Sequence, residues 1–262
     1  MSDRVLISIE HYKDLAGHLK VAQQYGLGLE LQEFADPNIL DGDWRSLLKQ
    51  YQAALDGFDG MLALHGCYID LVSGSPDKKL VALTRERYQH NIDIGRLLGA
   101  TAIDYHANYL PLVDQPSYLS GWIDRQVDFW SALSEQAGSQ GILLLLENMW
   151  EPNPDIIERI LARVKSPHLK ACLDVGHAHL YSGVPLEIWI KTLGTDLVYT
   201  HLHNNNGHHD AHLAFDDGVM DFPPLLDKLR NLPVPPIFTL EMPDLPTIQA
   251  SLPYLNLDRH VG

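Results

Sequence analysis

The stretch Ile142-Leu143-Leu144-Leu145-Leu146-Glu147-Asn148 is an aliphatic run of strand length closed by a carboxylate. The chain then passes through Asn153-Pro154-Asp155, which favours a helix start, into an amphipathic segment from Asp155 to Val164. A second apolar run, Leu169 to Leu173, follows and ends in Asp174. Strand, helix and strand in this order make a parallel unit joined by a helical crossover.

The same alternation extends outward in both directions. Strands are expected at Val5 to Ile9, Gly28 to Gln32, Gly60 to Leu64, Ala102 to Tyr105, Ile142 to Leu146, Leu169 to Leu173, Leu197 to Leu202 and Ile237 to Leu240. Helices are expected at Tyr12 to Tyr25, Asp43 to Leu55, Lys79 to Leu98, Tyr118 to Ala137, Asp155 to Val164, Leu186 to Leu193, Pro224 to Leu232 and Thr247 to Leu255. Eight strand-plus-helix units predict an α/β fold closed into a (β/α)8 TIM barrel over a single domain, 1–262. An open doubly wound sheet is the competing architecture. The longest irregular stretches, Cys67 to Asp77, Asn108 to Ser117 and Asn204 to Asp221, each follow a strand. In a barrel that is the face on which active sites are built.

Composition narrows the function classes. Apolar residues make up 45% and charged residues 20%, enough for a sizeable core. Nineteen Lys plus Arg against thirty-four Asp plus Glu give a net charge of −15, which opposes nonspecific attraction to nucleic acid or anionic lipid. The apolar runs fall short of the ~20 residues a membrane helix requires. The start Met1-Ser2-Asp3-Arg4 shows no signal-peptide pattern, so a cytoplasmic chain without membrane contact is expected. Cys67 and Cys172 are too few for a disulfide framework and read as free thiols. No Gly-x-Gly-x-x-Gly, P-loop or Gly-x-Ser-x-Gly motif occurs. Cys67 beside His65 reads as a nucleophile only if no metal is bound.

A carboxylate or imidazole at the end of a buried strand is costly unless it is paired or bound to metal. The residues closing the apolar runs are His65, His106, Glu147, Asp174 with His177 three residues on, His201 and Glu241; Asp210 and His212 follow in the loop after strand seven. Taken singly, His65 or His106 reads as a hydrogen-bonded core residue. Glu147 and Glu241 read singly as buried carboxylates paired with a base, but few Lys or Arg lie near the strand ends. Together the nine oxygen and nitrogen donors suit divalent Zn, Mn, Mg or Co, one to three ions per chain. His201 and His203 alternate along a strand and share a face, and one of them suffices as a ligand. His208 and His209 read as solvent-facing or as substrate contacts, and Asp216-Asp217-Gly218 as a turn. His11, His18, His90, His168 and His260 read as surface.

These motifs resemble the xylose isomerase-like TIM-barrel superfamily, also called the AP endonuclease family 2 group. The resemblance rests on Glu147-Asn148, Asp174-Val175-Gly176-His177, His201-Leu202-His203-Asn204, Asp210-Ala211-His212 with Gly218 following, and Leu240-Glu241. In the sugar isomerase and epimerase branch it implies one divalent ion held by Glu147, Asp174, His201 and Glu241, with His177 at the substrate. In the endonuclease IV branch it implies a three-zinc site that adds His65, His106, His177, Asp210 and His212, with Tyr68 nearby.

Two departures favour a small carbohydrate over nucleic acid. Strand one lacks the Gly-x-His-x-Ser start, and Leu31 to Pro37 contains the acidic Gln32-Glu33-Phe34-Ala35-Asp36 in place of an Arg-rich loop. The resemblance therefore implies a metal-dependent isomerase or epimerase of a sugar, sugar phosphate or polyol, acting by proton transfer next to a carbonyl with enediolate stabilisation and with Glu147 and Glu241 as bases on two faces. His177 orients a hydroxyl, and Tyr68, Asn148 and His203 are expected at the substrate. An endonuclease IV-like zinc phosphoesterase and a noncatalytic sugar- or metal-binding barrel are the alternatives, and an oligomer is open.

Overall fold

The computed structural model describes residues 2–112 and 115–257. His260 and positions 113 and 114 of the second long irregular stretch lie outside them, as does Met1. Eight parallel strands, β1 (Val5–Ile9), β2 (Gly28–Leu31), β3 (Leu62–His65), β4 (Ala102–His106), β5 (Leu143–Glu147), β6 (Leu169–Asp174), β7 (Leu197–Leu202) and β8 (Ile237–Leu240), close in chain order into a barrel. The closing pair is β1 with β8, in register Val5 with Phe238 and Ile7 with Leu240. The barrel expectation holds and the open sheet is excluded.

Helices α1 (Leu15–Tyr25), α2 (Pro37–Asp41), α3 (Trp44–Ala54), α4 (Lys78–Leu98), α5 (Pro116–Ser139), α6 (Asp155–Val164), α7 (Val175–Tyr181), α8 (Leu186–Leu193), α9 (Phe222–Arg230) and α10 (Leu245–Ser251) occupy the connections. α6 shows why: Ile156, Ile157, Ile160 and Leu161 recur at helical spacing and are all buried. α2 and α7 are short additions to the expected set. The last expected helix stops at Ser251 and continues as a 3-10 turn, Leu252–Tyr254. His18, expected at the surface, is buried in α1, with Nδ1 2.8 Å from the Asp14 carbonyl.

Side chains alternate along each strand, so every second residue faces the barrel axis. The inner floor is apolar: Leu6, Ala63, Ala102, Leu145, Cys172 and Tyr199 pack together. Two residues further along their strands, the inner layer changes to Ser8, His65, Asp104, Glu147, Asp174 and His201, each at most 3% exposed. Register fixes neighbours within this layer, His65 beside Asp104 and Asp174 beside His201. The sequence thus builds an apolar plug with a polar cup on top of it. No helix among the described residues is long and apolar enough to cross a membrane.

Candidate metal centre

β6 and α7 meet at Asp174, which ends the strand and caps the helix. One carboxylate oxygen, Oδ1, accepts the backbone N–H of His177 at 2.6 Å, satisfying a donor at the helix start. The other, Oδ2, points to the axis, 3.0 Å from His203 Nε2. Gly176 is required here, because a Cβ at this position would lie 2.1 Å from the His203 ring. Asn148 grips the same turn: its side chain donates to the Asp174 carbonyl and accepts the Asp174 N–H, both at 3.0 Å.

Around Asp174 the expected residues converge. Single donor atoms of Glu147, Asp174, His201 and Glu241 lie within 4.8 Å of one another. His201 Nδ1 is 3.1 Å from Glu147 Oε1, 3.4 Å from Glu241 Oε2 and 4.0 Å from Asp174 Oδ2. A second group joins His177, His203, Asp210 and His212 within the same limit. His177 Nε2 and His212 Nε2 face Asp210 Oδ2 at 3.0 and 3.3 Å. His65 Nε2 and His106 Nε2 approach Glu147 Oε2 at 3.7 and 3.2 Å. All nine expected donors are therefore brought together.

The chain also fixes which ring nitrogen is offered. His65 Nδ1 faces the Gly66 carbonyl at 2.9 Å, His177 Nδ1 the Asn148 carbonyl at 3.0 Å, and His212 Nδ1 the Glu241 carbonyl at 2.8 Å. A carbonyl accepts only, so these nitrogens carry hydrogen and Nε2 is the atom each ring turns toward the axis. His201 is reversed. Its Nε2 donates to Glu30 Oε2 at 3.2 Å and leaves Nδ1 toward the carboxylates. Tyr199 in turn donates its hydroxyl to Glu30 Oε2 at 2.7 Å. Imidazoles oriented by outer acceptors, with carboxylates in bonding range, fit a divalent cation. Among the described residues Glu241 Oε2 is buried without a hydrogen-bond partner, which agrees with that fit.

Charge follows the geometry. Burial acts to raise the Glu147 carboxyl, but the imidazoles of His201 and His106 hold it well below the usual range. Glu241 is likewise held at about 2 against burial by His201 and His212. Burial lowers His212, yet its bond to Asp210 and the charges of Glu241 and Asp210 raise it to about 9. Cys67 is buried and its thiol is pushed up to about 12 by desolvation, so the nucleophile reading lapses.

Above the cup lies a cavity of about 680 Å³, whose wall includes His65, Tyr68, His106, His177, His212 and Glu241. Among the described residues no Lys or Arg lines it, whereas Glu10, Glu33 and Asp36 do. Tyr68 stands 5.1 Å from His65 and 5.0 Å from His106, ring to ring. Glu147, Asn148 and His203 are buried behind the wall and form no part of it. His208 and His209 are exposed and also lie off the cavity, while His11 lines it.

Sequence reading passed over Glu30, Asp104 and Gln32. Gln32 donates to Glu241 Oε1 at 2.7 Å. Glu30 and Asp104 are fully buried inside strands, and an acid within an apolar run was the available signal.

A closed parallel barrel with carboxylates and imidazoles gathered at its strand ends defines an α/β barrel built around a candidate metal cup. The chain belongs to the xylose isomerase-like TIM barrel family, whose profile matches residues 20–256. The uncharacterized protein MJ1311 of Methanocaldococcus jannaschii is 26% identical over 204 residues, covering 74% of this chain and 68% of its own. The TTHB071 protein from Thermus thermophilus, in a structure soaked with ZnCl2, superposes with a TM-score of 0.77 at 25% identity. That match covers 97% of this chain and 96% of the other. A D-tagatose 3-epimerase-like protein matches with a TM-score of 0.78 at 21% identity over 94% of both chains, a likeness of fold.

Proposed function

We propose that the protein is a divalent-metal-dependent isomerase or epimerase acting on a small, unphosphorylated sugar or polyol. The observation that carries this reading is the double position of Glu241. It belongs to the buried Glu147, Asp174, His201 and Glu241 group and also forms part of the cavity wall. A Zn, Mn, Mg or Co ion held by that group would act as a Lewis acid toward adjacent carbonyl and hydroxyl oxygens. The D-tagatose 3-epimerase-like neighbour and the ZnCl2-soaked TTHB071 protein support the substrate class and the metal.

The chain's own residues supply the proton handling. Glu241 Oε2 faces His201 and would ligate the ion, so Oε1, steadied by Gln32 on the cavity wall, would accept the proton from carbon next to the carbonyl. Glu147 lies behind the wall, so the expected pair of bases narrows to Glu241 at the cavity, with Glu147 as a ligand. His177, on the wall and steadied by Asn148 and Asp210, orients a substrate hydroxyl. The described wall offers a phosphate no Lys or Arg and presents Glu10, Glu33 and Asp36, which supports an uncharged substrate.

In D2O, metal-loaded protein given a panel of free ketohexoses and ketopentoses is expected to wash deuterium into the carbon next to the carbonyl. Glu241→Gln is expected to slow that exchange at least ~100-fold. No exchange with any sugar overturns the reading and leaves the noncatalytic barrel, whereas undiminished exchange in the variant removes Glu241 as the base. The endonuclease IV-like alternative draws on the His177, His203, Asp210 and His212 group. Against it, Glu10, Glu33 and Asp36 on the cavity wall would repel a phosphate backbone, so an abasic-site oligonucleotide is expected to stay uncut.

A further inference from the structure

The cavity is larger than a single sugar ring requires. A ketohexose has about a dozen nonhydrogen atoms, which at no more than the ~30 Å³ of a liquid water each would leave about half of the 680 Å³ unfilled. Exposure divides the wall in two. Ser8, His65, His106, His177 and Glu241 make an inner part, each at most 7% exposed. Glu10, Glu33, Asp36, Ile39, Tyr68 and Ile69 lie past the ends of β1, β2 and β3, half-buried or exposed, and make an outer part on that side of the mouth.

Two kinds of surface meet in the outer part. Glu33 is held in place by its neighbours: Oε2 accepts the Tyr12 N–H at 2.7 Å and the Tyr51 hydroxyl at 2.8 Å, which leaves Oε1 as the acceptor for a ligand. Asp36 commits Oδ1 to the Asn38 N–H at 2.8 Å, capping α2, and keeps Oδ2. Beside these acceptors Tyr68 and Ile69, 41% and 47% exposed, bring aromatic and aliphatic surface into the same wall. The Tyr68 ring is seated against His65 and His106, so it joins the inner part to the outer. Carboxylates accept from hydroxyls, and aromatic or aliphatic faces cover C–H groups. A pyranose ring presents both.

We propose that the outer part is a subsite for a second sugar ring, so that the substrate is a ketose bearing a glycosyl unit rather than a free monosaccharide. The ketose lies on the inner wall beside Glu241 and His177. Hydroxyls of the glycosyl unit donate to Glu33 and Asp36, and its C–H face rests on Tyr68 and Ile69. The inference rests on reading the inner wall as an isomerase or epimerase centre.

The test measures deuterium exchange by the metal-loaded full chain with free ketohexoses and with three glucosyl-fructoses, turanose, maltulose and isomaltulose. At least one disaccharide is expected to exceed the best free ketohexose in kcat/KM by ~10-fold or more, chiefly through a lower KM. Ile69→Ala, at an exposed position, and Asp36→Asn, which retains a helix cap, are each expected to lower that ratio at least ~3-fold. Free ketoses that exchange as well as or better than every disaccharide overturn the subsite and leave the isomerase reading standing. A ratio unchanged in both variants also overturns it. No exchange with free or glycosylated ketoses overturns the reading of the inner wall as well.

Discussion

Glu151 shows how burial acts on a single side chain. It is 1% exposed and accepts the N–H of Tyr109 at 2.7 Å and of Met149 at 2.6 Å, tying together the loops after β4 and β5. Desolvation outweighs those bonds and raises its carboxyl from 4.5 to about 7. The folded state therefore holds a proton that the unfolded chain releases near 4.5, and this group's contribution to stability is complete below that pH. It is lost as pH rises to about 7, a change of about 3 kcal/mol for a shift of this size. Urea unfolding of wild type and Glu151→Gln across pH 4 to 8 should show wild type losing that amount relative to the variant. Parallel curves would contradict it. Residues were legible where they closed an apolar run: His65, His106, Glu147, Asp174, His201 and Glu241 all reach the cup. Glu30 and Asp104 obey the same physics one step deeper, but the strand interiors were read as uniformly apolar.

At the scale of elements, the turn from β6 into α7 couples folding to the site. Asp174 caps α7 through Oδ1 and faces the axis through Oδ2, so the two roles separate by substitution. Asn caps a helix about as well as Asp, whereas Ala costs about 1 kcal/mol. Metal-stripped Asp174→Asn is thus expected to exceed Asp174→Ala in stability by about that amount by urea unfolding, while both lose zinc affinity. Equal stabilities would remove the cap, and unchanged affinity would remove the ligand. The strands and the longer helices could be placed from sequence because their apolar periods run over several turns. α7 was missed because seven residues carry too little period, and its Val175-Gly176-His177 start read as a motif rather than as a helix. Gly176 explains itself only in three dimensions, through the His203 ring 2.1 Å from where its Cβ would stand.

Over the whole molecule, a chain of net charge −15 folds carboxylates into its own axis. Glu30, Asp104, Glu147, Asp174 and Glu241 are all buried there, and the ion-pair partners of this set among the described residues are imidazoles alone. Such an arrangement repels itself unless cations enter, which is why the barrel reads as a metal-binding scaffold as much as a packed core. The barrel was legible from eight repeats of strand and helix; the division of its interior into apolar floor and polar cup needed the register. Anomalous diffraction at the zinc edge from zinc-loaded crystals decides whether the cup holds a cation. A peak is expected within bonding distance of Glu147, Asp174, His201 and Glu241. Zinc found only at surface residues, with those four side chains free of it, would show that the barrel is no metal-binding scaffold.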